Sequence, residues 1–287
     1  MDFALPEHVQ QLQGRLRDFM EQQVLPANAE WHRLVEAGEY PLAVVDDLKA
    51  KARALGLWNL FLPGLRPDEP GTRLANAEYA PLAEIMGRLP WSSEVFNCNA
   101  PDTGNIELLH LFATPEQHER WLVPLLEGRI RSCFGMTEPD VASSDATNIA
   151  ATIRREGDDY VINGRKWFTT NAVHPNCRLC IFMGVTDPEG DAHQRHSMVL
   201  VPMDTPGVRI VRNVPIMNHH APEGHCEVVF RDVRVPASNL LGEEGRGFAL
   251  AQARLGPGRV HHCMRTIGGC ELALELMCER ALGRRTF

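Results

Sequence analysis

Phe134-Gly135-Met136-Thr137-Glu138-Pro139-Asp140-Val141-Ala142-Ser143-Ser144-Asp145 is the stretch at which the chain changes character. Before it, apolar residues recur at helical spacing. After it, they fall into short β-type runs separated by turn residues. Small residues after Pro139 permit a loop whose backbone N–H groups converge, which is how a diphosphate is held without a lysine. The hydroxyls of Thr137, Ser143 and Ser144 add donors. Composition alone leaves a plainer reading open, a Ser- and Asp-rich turn with no ligand.

Upstream, residues 1 to about 130 read as helical. Val9, Leu12, Leu16 and Phe19 share one helical face, with Pro6 near its start. A second helix is expected from Pro41 through Val44, Val45, Leu48 and Leu55. Gly64 to Thr72, with Pro67 and Pro70, reads as a loop. Thr114-Pro115-Glu116-Gln117 combines a Thr cap, a proline at the first helical position and a Gln to complete a capping box.

Downstream, strands are expected at Tyr160–Ile162, Leu179–Met183, Ser197–Val201, Val208–Val211 and Glu227–Phe230, with turns at Asn163-Gly164, Asp187-Pro188 and Pro206-Gly207. Regular short strands predict a compact antiparallel barrel or sandwich. From Gly245 the pattern is helical again, interrupted at Gly256-Pro257-Gly258 and resumed through Leu272, Leu276 and Leu282. A long apolar helix there needs a partner to cover it. Three domains follow: a helical one over 1–130, a β-barrel over 131–243, and the first helix of an incomplete helical domain over 244–287. The class is α+β, with helices and strands segregated. No G-x-G-x-x-G follows a strand, so a Rossmann site has no support.

A second chemical stretch is Asn163-Gly164-Arg165-Lys166-Trp167-Phe168-Thr169-Thr170-Asn171. Asn-Gly predicts a hairpin turn. Alternation along the following strand puts Phe168 and Thr170 on one face, a wall of aromatic plane and hydroxyl suited to a flat heterocycle. An ordinary hairpin with an aromatic core residue has the same pattern.

Composition narrows the partners. The chain of 287 residues has 29 Lys and Arg against 37 Asp and Glu, a net charge of −8, and offers no basic footprint for nucleic acid or an anionic membrane. An anionic substrate met by local basic residues is still compatible with that balance. No run is long and apolar enough to span a bilayer. Met1-Asp2-Phe3 opens without a basic start and apolar stretch, which suggests a cytoplasmic protein, or a mitochondrial or peroxisomal one in a eukaryote. Cys133, Cys263, Cys270 and Cys278 read as small core residues, and free thiols suit a reducing compartment. Cys177-x-x-Cys180 has no matching second pair, and the adjacent pairs His219-His220 and His261-His262 do not face a common metal, so no metal site is expected.

The two chemical stretches, in this order, resemble the acyl-CoA dehydrogenase family. An aromatic residue, T-E-P, a small-residue turn and S-D are followed after a strand by N-G-x-K, an aromatic, Thr and Asn. The form Thr137-Glu138-Pro139-Asp140-Val141-Ala142-Ser143-Ser144-Asp145-Ala146-Thr147-Asn148-Ile149 is similar to a subgroup acting on longer or branched acyl-CoAs. Val233-Arg234-Val235-Pro236, Leu240-Leu241-Gly242 and Gly245-Arg246-Gly247-Phe248 resemble the family's exit from its β domain. Arg284-Arg285-Thr286-Phe287 resembles its R-x-T-F segment.

The resemblance implies an FAD-dependent enzyme that removes the α-proton and β-hydride of an acyl-CoA thioester. Phe134, Met136, Thr137, Ser143 and Ser144 would line the flavin and its pyrophosphate, with Thr137 at the pyrimidine end and Ser144 at the pyrophosphate or the CoA. Phe168 stands where most members carry Trp, Thr169 follows it, and Thr170 matches the Thr whose hydroxyl approaches flavin N5. Gly258 and Arg259 would fall near the thioester. Arg284 and Thr286 would reach the FAD of a neighbouring subunit in a homo-oligomer. An electron-transfer flavoprotein or similar acceptor would take the electrons.

One family position is vacated. Some members carry their base, a Glu, directly before the Arg that Arg259 matches, and here that residue is Gly258. Other members place the base later, which would be beyond Phe287. The resemblance therefore implies that these 287 residues hold FAD weakly and turn over little. Related readings keep the fold and change the role: a flavin oxidase or monooxygenase, or an inactive fragment or regulatory partner of longer homologues.

Overall fold

The computed structural model describes residues 4–286. Its helices are α1 (Glu7–Phe19), α2 (Leu25–Glu36), α3 (Leu42–Ala54), α4 (Asn76–Met86), α5 (Asp102–Phe112), α6 (Pro115–Gln117), α7 (Val123–Leu126) and α8 (Gly247–Gly283). Its strands are β1 (Arg131–Gly135), β2 (Thr152–Glu156), β3 (Asp159–Thr170), β4 (Cys177–Val185), β5 (His196–Pro202), β6 (Val208–Asn213), β7 (His225–Pro236) and β8 (Leu240–Leu241). By packing, residues up to Asn99 and those from Gly256 onward form one unit, and Ala100–Leu255 form the other. Helices α5 to α7 thus group with the sheet.

In the helical unit, α1 buries Val9, Leu12, Leu16 and Phe19, the four residues whose spacing marks it, and Pro6 occupies its N-cap position. Helix α3 buries Val45, Leu48 and Ala52. Leu55, expected on that face, lies past the helix end and is exposed. Trp31 stacks on Trp91 with ring centroids 5.4 Å apart. The end of α4 and α8 run backbone against backbone: a Cβ at Gly268 would strike the Glu84 carbonyl, and one at Gly87 the Arg265 carbonyl. Only glycine allows that approach.

Helix α8 runs without a break through Gly256-Pro257-Gly258, where the sequence suggests an interruption. A proline inside a helix forfeits one hydrogen bond, but its φ is already helical. The flanking turns are anchored, by buried Leu250 and Ala251 before it and buried His261 after it. Cys133 is buried as expected, but Cys263, Cys270 and Cys278 are exposed. Their spacing of seven and eight puts them on one stripe of α8, beside exposed Ile267, Leu274 and Met277.

In the second unit, the Thr114 capping box forms as read: the Gln117 N–H donates to Thr114 Oγ1 and the Thr114 N–H to Gln117 Oε1, both at 3.2 Å. The sheet runs β6-β7-β3-β2-β4-β5-β8, with β1 beside β4. Most neighbours are antiparallel. The β1–β4 and β2–β4 pairs are parallel, so the sheet is mixed rather than purely antiparallel. Its ladder runs from β6 to β8 without closing among the described residues. Alternate residues of β3, β4, β5 and β7 fill one core, in which the Phe182 and Phe230 rings lie 4.7 Å apart.

Asn163-Gly164 is not a turn. It lies inside β3, at a register shift against β7. The β2–β3 turn comes earlier, where Gly157 takes φ +63°. Gly164 serves a close approach instead, since a Cβ there would collide with Cβ of Ala151.

Candidate functional site

The loop after β1 is fastened to the sheet through Glu138. Its carboxylate accepts from the N–H groups of Ala150 (2.9 Å) and Ala151 (3.0 Å), so one side chain ties both ends of the loop together. The counter-charge is Lys166 of β3, fully buried, whose Nζ donates to Glu138 Oε1 (2.7 Å), the Met136 carbonyl (3.0 Å) and the Met183 carbonyl (2.7 Å). Burial pulls the Lys166 ammonium down to about 8 against the pull of Glu138. Within the loop, Ser143 Oγ donates to the Glu138 carbonyl and accepts from its N–H, both at 3.0 Å. Arg195 donates to the Thr147 carbonyl, and Asn148 to that of Ala142.

The same lysine leads into the second chemical stretch. The Trp167 N–H donates to the Thr137 carbonyl at 3.0 Å, so the loop after β1 and the end of β3 meet directly. There β3 carries a bulge between Lys166 and Thr169, and Phe168 takes φ +49°. This breaks the simple alternation. Lys166 and Thr169 turn into the core, Trp167 and Thr170 stay half-buried, and Phe168 is 42% exposed. Beyond the bulge, Thr170 Oγ1 lies 2.9 Å from Nδ1 of His225 on β7.

Asn171 then locks the strand end. Its side-chain amide donates to Asp102 Oδ2 (3.0 Å) and the Ser132 carbonyl (3.1 Å). Asp102, at the start of α5, also receives Arg131 Nε (2.5 Å), the Ser132 N–H (2.7 Å) and Ser132 Oγ (2.5 Å). Arg254 extends this polar seam: its Nε donates to Asn105 Oδ1 at 2.8 Å, and its guanidinium lies 3.9 Å from the Phe134 ring centre. Burial draws Arg254 down to about 10, and Glu107 and Asp102 oppose that. Burial also pushes the Glu107 carboxyl up to about 7, held back by Arg254.

Of the residues singled out by motif, the sheet unit gathers Phe134, Met136, Thr137, Ser143, Ser144, Phe168, Thr169 and Thr170. Phe134, Met136, Thr137 and Thr170 are half-buried, and Ser144 is exposed. Two of the eight are buried. The Ser143 hydroxyl is spent on Glu138, and the Thr169 hydroxyl is buried in the core without a hydrogen-bond partner. Gly258, Arg259, Arg284 and Thr286 belong to the helical unit, the first two on α8 with Arg259 exposed, the last two exposed after its end. Phe287 of the R-x-T-F run, like Met1 to Phe3, lies outside the described residues. Motif reading missed His225, Asp102, Glu107 and Arg254. Each lies far in sequence from its partner, and no local spacing marks it. Among the described residues, no group of three or more His, Cys, Asp or Glu could hold a metal ion, and no helix is long and apolar enough to cross a membrane.

The family model for the acyl-CoA dehydrogenase N-terminal domain matches residues 6–129, and that for the middle domain residues 133–233. "Probable acyl-CoA dehydrogenase FadE2" of Mycobacterium tuberculosis is 53% identical over all of this chain and 70% of its own length. Acyl-CoA dehydrogenase family member 10 of Mus musculus is 54% identical, but the chain spans 27% of it. A Mycobacterium abscessus structure named for an acyl-CoA dehydrogenase superposes with a TM-score of 0.92 at 53% identity, over 99% of this chain and 72% of that one. Butyryl-CoA dehydrogenase from Megasphaera elsdenii gives 0.80 at 28% identity, over 100% and 72%. The motifs, the fold and these matches agree: the chain belongs to the acyl-CoA dehydrogenase family.

Proposed function

We propose that the loop after β1 and the end of β3 hold one FAD, and that the chain serves the α,β-dehydrogenation of an acyl-CoA thioester, of long or branched chain. The observation that supports this most is the hydrogen bond from the Trp167 N–H to the Thr137 carbonyl, which puts the two motif stretches side by side. The residues present fit a flat heterocycle. Met136, Thr137 and Thr170 are half-buried, Phe168 is 42% exposed with its ring 4.5 Å from that of Trp167, and the buried Lys166–Glu138 pair ties the loop to β3.

When bound, the flavin supplies the hydride acceptor. The chain's own part is to hold and orient. Thr137 offers a hydroxyl at the pyrimidine end, Phe168 an aromatic wall, and Thr170 a hydroxyl at the edge that takes the hydride. Loop N–H groups and the exposed Ser144 hydroxyl suit the pyrophosphate. The family resemblance alone assigns Arg259 to the thioester end. Gly258 has no side chain to take the α-proton, so no base is assigned among these residues. The electron acceptor on this reading is an electron-transfer flavoprotein or a similar carrier, and the assembly is a homo-oligomer.

Titration of the chain with FAD, followed by quenching of flavin fluorescence, tests the reading. Saturable one-to-one uptake, weakened by Thr137→Val and by Phe168→Ala, is expected. No uptake at any FAD concentration up to millimolar would refute it. Oxygen consumption by the reduced flavoprotein, measured beside reduction of an artificial acceptor, separates a dehydrogenase from an oxidase or monooxygenase.

A further inference from the structure

His225 is a polar side chain in contact with the end of β3, and the reaction as proposed does not yet use it. Thr170 closes β3, His225 opens β7, and the two are direct partners in the ladder. Thr170 Oγ1 and His225 Nδ1 are 2.9 Å apart. The imidazole does not reach there by chance. The His225 N–H donates to Asn213 Oδ1 at 2.9 Å, and its carbonyl accepts from the Val214 N–H at 3.1 Å. Gly224 before it takes φ +76°, and a Cβ there would meet Val173 at 2.6 Å and Cys226 Sγ at 2.9 Å. The backbone leading into His225 is thus held in a form that other residues rarely adopt.

A threonine hydroxyl has one proton to give and lone pairs to receive, and a neutral imidazole nitrogen does one or the other. The histidine therefore decides what Thr170 can offer to anything beside it. A bare Nδ1 takes the hydroxyl proton and leaves Thr170 with lone pairs alone. A protonated Nδ1 donates to Oγ1 and leaves the hydroxyl proton for a ligand. The site reading above, on which this rests, puts an oxidised flavin N5 opposite Thr170, and that atom accepts hydrogen bonds.

We infer that His225 is a positioning residue that donates from Nδ1 to Thr170 and so commits the Thr170 hydroxyl proton to the ligand. The result is a one-way donor chain, imidazole to hydroxyl to acceptor, and each bond in such a chain polarises the next.

Two independent measurements test this on the 287-residue chain. The first is nitrogen-15 NMR of the His225 ring, without FAD. A protonated Nδ1 is expected, with a resonance that shifts in Thr170→Val. A bare Nδ1 overturns the inference whatever the flavin does. The second compares FAD affinity and the visible flavin bands in variants. His225→Glu, which can only accept, should weaken FAD about three- to tenfold, as loss of one hydrogen bond does, and shift the bands as Thr170→Val does. The double variant should go no further. His225→Gln, which can donate, should stay near the parent. Full additivity, or an unchanged flavin spectrum in His225→Glu, overturns the inference while leaving the FAD site standing. A parent chain that takes up no FAD at all removes the site reading and this inference together.

Discussion

Lys166 and Glu138 form an ion pair at 2.7 Å in which the ammonium is fully buried and the carboxylate nearly so. Around them, two carbonyls and two N–H groups satisfy nearly every remaining donor and acceptor. Such a pair adds modest net stability when complete, but removing one partner strands the other charge. Lys166→Met should therefore cost about 3–5 kcal/mol, measured by urea unfolding of the chain. Hydrogen exchange should show the amides of Met136 to Ala151 losing protection in the same variant. A loss below about 1 kcal/mol would mean that the loop does not depend on this pair.

Gly164 offers a test of the strand against the turn. Inside β3, a methyl group at this position meets Cβ of Ala151, and Gly164→Ala should destabilise by roughly 1–3 kcal/mol in thermal or urea unfolding. Ala151→Gly should recover part of that loss by opening the space. In an exposed hairpin turn, neither substitution would interact with the other.

The buried Glu107 carboxyl sets a pH dependence. Its folded value is raised from 4.5 to about 7 by burial. A raised value means that the folded state holds the proton more tightly, so this contribution is complete below pH 4.5 and is lost as pH rises through 7. The shift corresponds to about 3 kcal/mol. Glu107→Gln, which cannot ionise, should lack that fall. The difference in unfolding free energy between the variant and the parent should grow from pH 4.5 to pH 8 in the variant's favour. A difference that stays flat across this range would show that Glu107 ionises freely in the folded protein.

What was legible in the sequence was what local spacing controls. The face of α1, the Thr114 capping box and the strand cores each depend on residues a few positions apart. The two chemical stretches were legible through their joint resemblance, not through their composition. Asn163-Gly164 misleads because the dipeptide favours a turn through positive φ, which neither residue takes here, while Gly164 is needed for its missing Cβ against Ala151. The Phe168 bulge was hidden because alternation assumes an unbroken ladder, and the extra residue is set by pairing with β7. The polar seam through Asp102, Arg131, Asn105 and Arg254 was invisible because α5, β1 and the start of α8 meet only in the folded unit. Cys263, Cys270 and Cys278 looked like core because small thiols usually are, whereas burial depends on what packs over that stripe of α8.

On the proposed function, the Thr137 loop and the Thr170 strand end act on one ligand. Hydrogen exchange across an FAD titration tests it most directly. Amides of Met136 to Ser144 and of Trp167 to Asn171 should gain protection together, with one shared midpoint. Protection of one segment alone, or two distinct midpoints, would contradict it.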